Sequence, residues 1–210
     1  MTFTPRLPIA AITDEFSPTL AQALPFMQEI GMTGAELRVI DGKNILDLTD
    51  DELKRTREAI QAAGLKVISI ASPVLKCVLP NAPAVDTRFQ QDVFASKHTF
   101  ADQPRLTEHA IKVARFFSAP ILRVFSYWRT VQPERCHDAV VAALTNLAAL
   151  GVKENVIIGL EVLWKEQIRA LIDDGYRGYL SLETHWQGPN DNNKPEASRI
   201  CGWNLRGLVT

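Results

Sequence analysis

Two glutamates close apolar runs of this sequence: Ile157-Ile158-Gly159-Leu160-Glu161-Val162 and Gly178-Tyr179-Leu180-Ser181-Leu182-Glu183-Thr184-His185. A carboxylate at the end of an apolar run is costly unless it is paired, hydrogen-bonded or bound to a metal. Two such groups can serve as base and acid, one removing a carbon-bound proton beside a carbonyl and the other returning it. Glu161 and Glu183 are 22 positions apart. That spacing admits one crossover helix between parallel strands and no more. Runs of this kind in a strand–helix alternation place their carboxylates at the C-terminal mouth of a parallel barrel.

The elements that must position these residues alternate along the chain. Residues 10–16 read as a first strand. Ser17 as N-cap and Pro18 at the first helical position then open a helix through Leu20, Ala23, Leu24, Met27 and Ile30, which Gly31 stops. Residues 34–40 are the second strand. Thr49 and Glu52 form a capping box for a helix that ends at Gly64, and 66–71 is the third strand. Residues 73–104 are irregular, as expected of a lid or insertion, with room for a short helix near 86–95. Thr107 caps the next helix and 120–128 is the fourth strand. Pro133-Glu134 opens a long helix to Leu150, closed by Gly151. A fifth strand at 157–162, a helix at 164–174, a sixth strand at 178–184 and a last helix from Pro195 or Glu196 to Leu208 complete the pattern. Six strands alternating with helices predict an α/β fold of parallel strands with right-handed crossovers.

Composition narrows the function classes. The 210 residues can bury a substantial core as one domain. A formal charge of −1 gives no broad attraction to nucleic acid or to an anionic membrane. No apolar stretch approaches the roughly 20 residues a membrane span needs, and residues 1–8 lack the basic and apolar regions of a signal peptide. Cys77, Cys136 and Cys201 are scattered and odd in number, so they read as reduced structural thiols of a cytoplasmic protein.

Five segments, taken together and in order, carry a resemblance: Ile12-Thr13-Asp14-Glu15-Phe16, Gly34-Ala35-Glu36-Leu37-Arg38, Leu122-Arg123-Val124-Phe125-Ser126-Tyr127-Trp128-Arg129, Ile158-Gly159-Leu160-Glu161 and Tyr179-Leu180-Ser181-Leu182-Glu183-Thr184-His185-Trp186. On them the chain resembles the sugar phosphate isomerase/epimerase proteins of the xylose-isomerase-like TIM-barrel superfamily. The resemblance implies one divalent metal, manganese, cobalt or magnesium, at the barrel mouth. Its ligands would be a Glu ending strand five, an Asp of strand six, a His of strand seven and a Glu ending strand eight. Glu161 matches the first of these and Glu183 the last, as metal ligands and as the acid/base pair, with the metal stabilising the enediolate between proton transfers.

In a full barrel three βα units, about 70–90 residues at roughly 30 per unit, separate those two glutamates. Here a join near 162–163 is implied within a single 1–210 domain, with strands six and seven and their Asp and His absent. The fold class is thus α/β, TIM-barrel-like and incomplete, with six parallel strands. A sugar or polyol is the implied substrate. The alternative is a non-catalytic remnant, whose two open sheet edges would favour a homo-oligomer. An endonuclease for abasic DNA on the same barrel fits less well, because it needs a basic groove.

Other residues gain roles from the resemblance. Trp128 and Arg129 end the fourth strand, the ring to stack on a sugar face and the guanidinium to hold a phosphate or carboxylate. The competing reading is a packed aromatic beside a solvated arginine. Glu36 lies beside Arg38, as an internal ion pair or a substrate contact. His185, two residues beyond Glu183, is a substrate contact or a surrogate metal ligand. Asp14 and Glu15 line the mouth at the end of the first strand.

Overall fold

The computed structural model describes residues 7–89, 97–160, 178–184 and 193–209. The chain divides into two compact units, one of residues 1–71 with 162–210 and one of residues 72–161. Among the described residues six parallel strands alternate with helices, the incomplete α/β pattern expected from the sequence.

In the first unit, β1 (Ile9–Ile12) pairs in parallel with β2 (Gly34–Leu37), and β2 pairs with β5 (Lys66–Ala71). On its other side β1 pairs with β8 (Leu180–Leu182). The register fixes two unlike faces. One carries Ile9, Ala11, Ala35, Leu37, Ile70 and Leu180, all buried. The opposite face carries small and polar residues beside one isoleucine: Ala10 lies between Gly34 and Ser181, and Ile12 is in register with Glu36, which is in register with Ser69. A Cβ on Gly34 would meet the Tyr179 ring at 2.7 Å and the Ala10 Cβ at 2.9 Å, so only glycine lets that ring cross this row. The register slips between Ala35 and Glu36. Such irregularities re-aim side chains and recur beside functional sites.

Helix α1 (Leu20–Ile30) buries Ala23, Leu24, Met27 and Ile30 and ends at Gly31 in a left-handed turn, as its periodicity predicts. Its start differs from the sequence reading. Ser17 does not cap it. The helix begins two residues after Pro18, and the Asp41 carboxylate accepts from the Leu20 N–H at 3.0 Å. Asp41 lies in the turn between two short antiparallel strands, β3 (Val39–Ile40) and β4 (Lys43–Asn44), so the expected single strand 34–40 is divided at Arg38 into β2 and β3.

Helix α2 (Asp50–Ala62) has the predicted Thr49–Glu52 capping box, and Lys43 donates to Glu52 at 2.5 Å. These contacts hold the Glu52 carboxyl at about 2, the Lys43 hydrogen bond first and then the Thr49 N–H and hydroxyl. The folded value lies below the ordinary 4.5, so the cap stabilises α2 above that pH and is lost as pH falls toward 2. A carbon-detected NMR titration is expected to place the Glu52 midpoint near 2, with the first turn of α2 losing amide protection below it. A midpoint near 4 would contradict the network.

The second unit pairs β6 (Ile121–Val124) in parallel with β7 (Ile157–Leu160). Helix α3 (Gln103–Phe116) begins after a Thr99–Asp102 capping box, not at Thr107, which is buried inside it. Helix α4 (His137–Glu154) runs through Gly151 and ends at Asn155 in a left-handed conformation. Gly151 is there for closeness instead of termination, since a Cβ would lie 2.5 Å from the Val156 carbonyl oxygen. Ile157 and Leu160 of β7 remain 64% and 50% exposed.

The last helix, α5 (Lys194–Val209), belongs to the first unit. Arg206 donates to the Ile30 carbonyl, and Arg199 pairs with Glu29 at 2.7 Å, so α5 is tied to α1. Among the described residues no helix is long and apolar enough to cross a membrane. The three cysteines are free thiols. The helix expected at 164–174 and most of the one near 86–95 lie outside the described residues, apart from a 3-10 turn at Thr87–Phe89.

Candidate active site

The C-terminal ends of β1, β2 and β8 converge on one guanidinium. Beyond β1 the chain makes a 3-10 turn, Thr13–Glu15, which turns Asp14 and Glu15 back toward β2. Arg38 follows β2 directly. Its Nε and Nη2 donate to Asp14 Oδ2 at 3.0 and 2.9 Å, and Nη2 also donates to Glu15 Oε1 at 2.8 Å. Nη1 donates to Glu183 Oε1, just beyond β8, at 2.5 Å. Three strand ends of a parallel sheet, the face where barrel enzymes do chemistry, are thus joined through one side chain.

A second layer fixes the carboxylates. The Val39 N–H donates to Asp14 Oδ1 at 3.2 Å. Glu15 Oε2 accepts from the Thr184 N–H at 3.3 Å and pairs with Lys194 Nζ at 2.6 Å. Lys194 also donates to the Thr184 carbonyl, and Ser198 Oγ donates to the Glu15 carbonyl at 2.6 Å. The first turns of α5 therefore clamp the site from the outside.

Exposure is graded. The side chains of Glu15, Asp14 and Arg38 are 3%, 6% and 12% exposed, and that of Glu183 is 21% exposed. Glu183 is the carboxylate of this set that solvent or a ligand reaches most readily. Burial by itself would lower the Arg38 pKa. The charge and hydrogen bonds of Asp14, then the charges of Glu183 and Glu15, override it and push the pKa above the ordinary arginine value. Arg38 is a permanent cation.

Of the sequence-predicted residues, Glu183 lies in this cluster and Glu36 on the polar sheet face two residues before Arg38. Arg38 pairs with Asp14, Glu15 and Glu183, where the sequence suggested Glu36. Trp128 and Arg129 belong to the other unit, Trp128 half-buried and Arg129 exposed. Glu161 and His185 lie outside the described residues. The roles of Lys194 and Ser198 had no signal in the sequence, because both sit in the first turns of α5, distant in sequence from Glu15.

A hard divalent cation takes at least three or four oxygen or nitrogen donors. Among the described residues no three His, Cys, Asp or Glu side chains are grouped to hold one. The cation that gathers Asp14, Glu15 and Glu183 is Arg38. The described residues do not fit a metal centre.

No protein-family model matches the sequence, and no curated protein matches it. Solved structures do. A xylose isomerase domain protein from Alicyclobacillus acidocaldarius subsp. acidocaldarius is 12% identical, with a TM-score of 0.61 over 97% of this chain and 98% of that one. D-psicose 3-epimerase from Clostridium cellulolyticum H10, solved with D-tagatose, is 9% identical, with a TM-score of 0.61 over 97% and 99%. A probable 3-DHS dehydratase from Bacillus anthracis is 14% identical, with a TM-score of 0.51 over 97% of this chain and 71% of that one. The chain has the fold of the xylose isomerase-like TIM-barrel proteins. That fold carries an epimerase in one of these structures and a probable dehydratase in another, so the reaction has to be argued from the site.

Proposed function

We propose that the chain is a sugar or polyol isomerase/epimerase in which Glu183 transfers a proton at the carbon beside a carbonyl. One observation carries this reading: the Glu183 carboxylate, the most exposed of the cluster, is held at the C-terminal end of β8 by a half-buried guanidinium. A base must be aimed before it can act, and the Arg38 contact to Oε1 fixes its direction. Glu161 is the partner carboxylate by resemblance.

The test is deuterium exchange. The purified chain is incubated in D2O with a panel of ketoses and their phosphates, with chelator and with added manganese, cobalt or magnesium, and the products are read by NMR. Deuterium is expected at the carbon beside the carbonyl of at least one sugar. A folded chain that exchanges none of them sinks the proposal.

A second reading rests on the 22 positions between Glu161 and Glu183, too few for the strands of a full barrel: a non-catalytic remnant of the same family, shortened near 162–163. It predicts a self-associating chain with a broad melt. A sharp, reversible melt of a monomer in light scattering counts against it.

A further inference from the structure

The polar face of the β8–β1–β2–β5 sheet holds a carboxylate that the proton transfer leaves unused. Glu36 lies in β2 and is only 9% exposed. Among the described residues its carboxylate has no hydrogen bond and no ion pair. Arg38, two residues on, is taken up by Asp14, Glu15 and Glu183 instead. A carboxylate removed from water without partners is costly. A local conflict of that kind is what a folded chain tolerates at a functional site.

Two hydroxyls on the same face share this condition. Ser69 of β5 is in register with Glu36, and its Oγ is buried with no hydrogen-bond partner. Ser181 of β8 is in register with Ala10, and its Oγ is likewise buried and unpartnered. Buried hydroxyls are normally bonded, so each exception needs a reason. Ser69 and Glu36 stand on adjacent strands and do not bond to each other, so both are open to a third group.

Strand alternation orders these groups. Glu183 is two residues beyond Ser181 and keeps its side of the sheet. Ser181 and Glu183 therefore stand on one flank of β1, and Glu36 and Ser69 on the other, with Ala10 and Ile12 of β1 between them. β8 and β2 are two strand spacings apart, roughly 10 Å, a span that the carbon chain of a monosaccharide bridges. The Tyr179 ring crosses the face at Gly34 and closes the row below Glu36. The register slip between Ala35 and Glu36 comes directly before the carboxylate and re-aims it.

An ionised carboxylate accepts hydrogen bonds and donates none, while a serine hydroxyl does both. A run of sugar hydroxyls supplies donors to Glu36 and either kind of partner to the serines. A phosphate group brings more acceptors and negative charge, which an unpaired carboxylate rejects. We propose that Glu36 binds hydroxyls of an unphosphorylated sugar or polyol, with Ser69 and Ser181 as further contacts, and so selects against sugar phosphates. The inference rests on the proton-transfer reading only in taking Glu183 as the reacting end; the hydroxyl contacts are independent of it.

Alditols carry the hydroxyls and lack the carbonyl, so they test binding apart from chemistry. The experiment is isothermal titration of the full chain with a panel of pentitols and hexitols and with their terminal phosphates. At least one alditol is expected to bind saturably, and its phosphate at least about tenfold more weakly. Glu36→Gln keeps the shape and removes the carboxylate, and it is expected to weaken alditol binding about tenfold or more. Glu58→Gln, an exposed change on α2, should bind as the parent does. Circular dichroism checks each variant. If Glu36→Gln does not fold, Ser69→Ala decides in its place, with weaker binding expected and equal binding counting against the site. Failure of every alditol to bind the folded parent, phosphates that bind as tightly as their alditols, or equal binding by Glu36→Gln overturns the proposal. Alditol binding without deuterium exchange of any ketose leaves this site standing and removes the proton-transfer reading. Exchange with alditol binding unaltered in Glu36→Gln does the reverse.

Discussion

Replacing Arg38 with methionine is expected to destabilise the chain by about 3–5 kcal/mol, the usual cost of removing one partner from a buried ion pair. The change keeps most of the side-chain volume and removes the charge. Asp14, Glu15 and Glu183 then lose the group that holds them 2.9, 2.8 and 2.5 Å from one guanidinium. Glu15 keeps Lys194, at 2.6 Å, and the Thr184 N–H, but Asp14 keeps only the Val39 N–H among the contacts described. Three carboxylates gathered at strand ends would repel one another in a poorly screened place. For a chain of this size each kcal/mol moves the melting point by about 2–4 °C, so a fall on the order of 10 °C is expected. Urea unfolding gives the free energy. Arg38→Lys restores the charge without the fork and should recover only part of the loss. The folded Arg38 pKa lies above the ordinary value, so raising the pH from neutrality leaves this contribution intact until strong alkali. A methionine variant within about 1 kcal/mol of the parent would mean that the cluster contributes little.

Local signals in the sequence located most of the elements and few of the contacts between them. The Thr49–Glu52 box and the Gly31 stop are decided within a few residues, and both hold. The start of α1 is decided by Asp41, 21 positions away, so Ser17 and Pro18 misled. Gly151 looked like a stop because glycine commonly is one. Its purpose is the close return of Val156, which only packing reveals. The carboxylate at the end of the last strand was legible because an apolar run must account for its charge. Its partner was not: Arg38 is 145 positions from Glu183, and nothing local distinguishes it as a hub from its alternative as a neighbour of Glu36. The same limit hid Lys194, whose role needs α5 to be laid against the end of β1.

Glu183→Gln is expected to lower deuterium exchange by 10²–10⁴-fold, the range a positioned acid or base contributes, while leaving the fold nearly intact. The two side chains have the same shape, and a glutamine carbonyl can still accept from Arg38 Nη1, 2.5 Å from Oε1 in the parent. What the amide lacks is the capacity to take up a proton. The substitution therefore separates chemistry from architecture, which Arg38→Met cannot do because it disturbs both. The expected pattern is a large fall in kcat with a melting point within a few degrees of the parent. A variant that exchanges as fast as the parent would remove Glu183 from the reaction. A variant that loses exchange only because it unfolds would be exposed by its melt, and Glu183→Asp then decides the matter. It keeps the carboxylate but withdraws it by one methylene, so a base should retain part of its activity at the shorter reach. If the carboxylate serves only as a strut for Arg38, glutamine, which keeps the length, should be at least as active as aspartate.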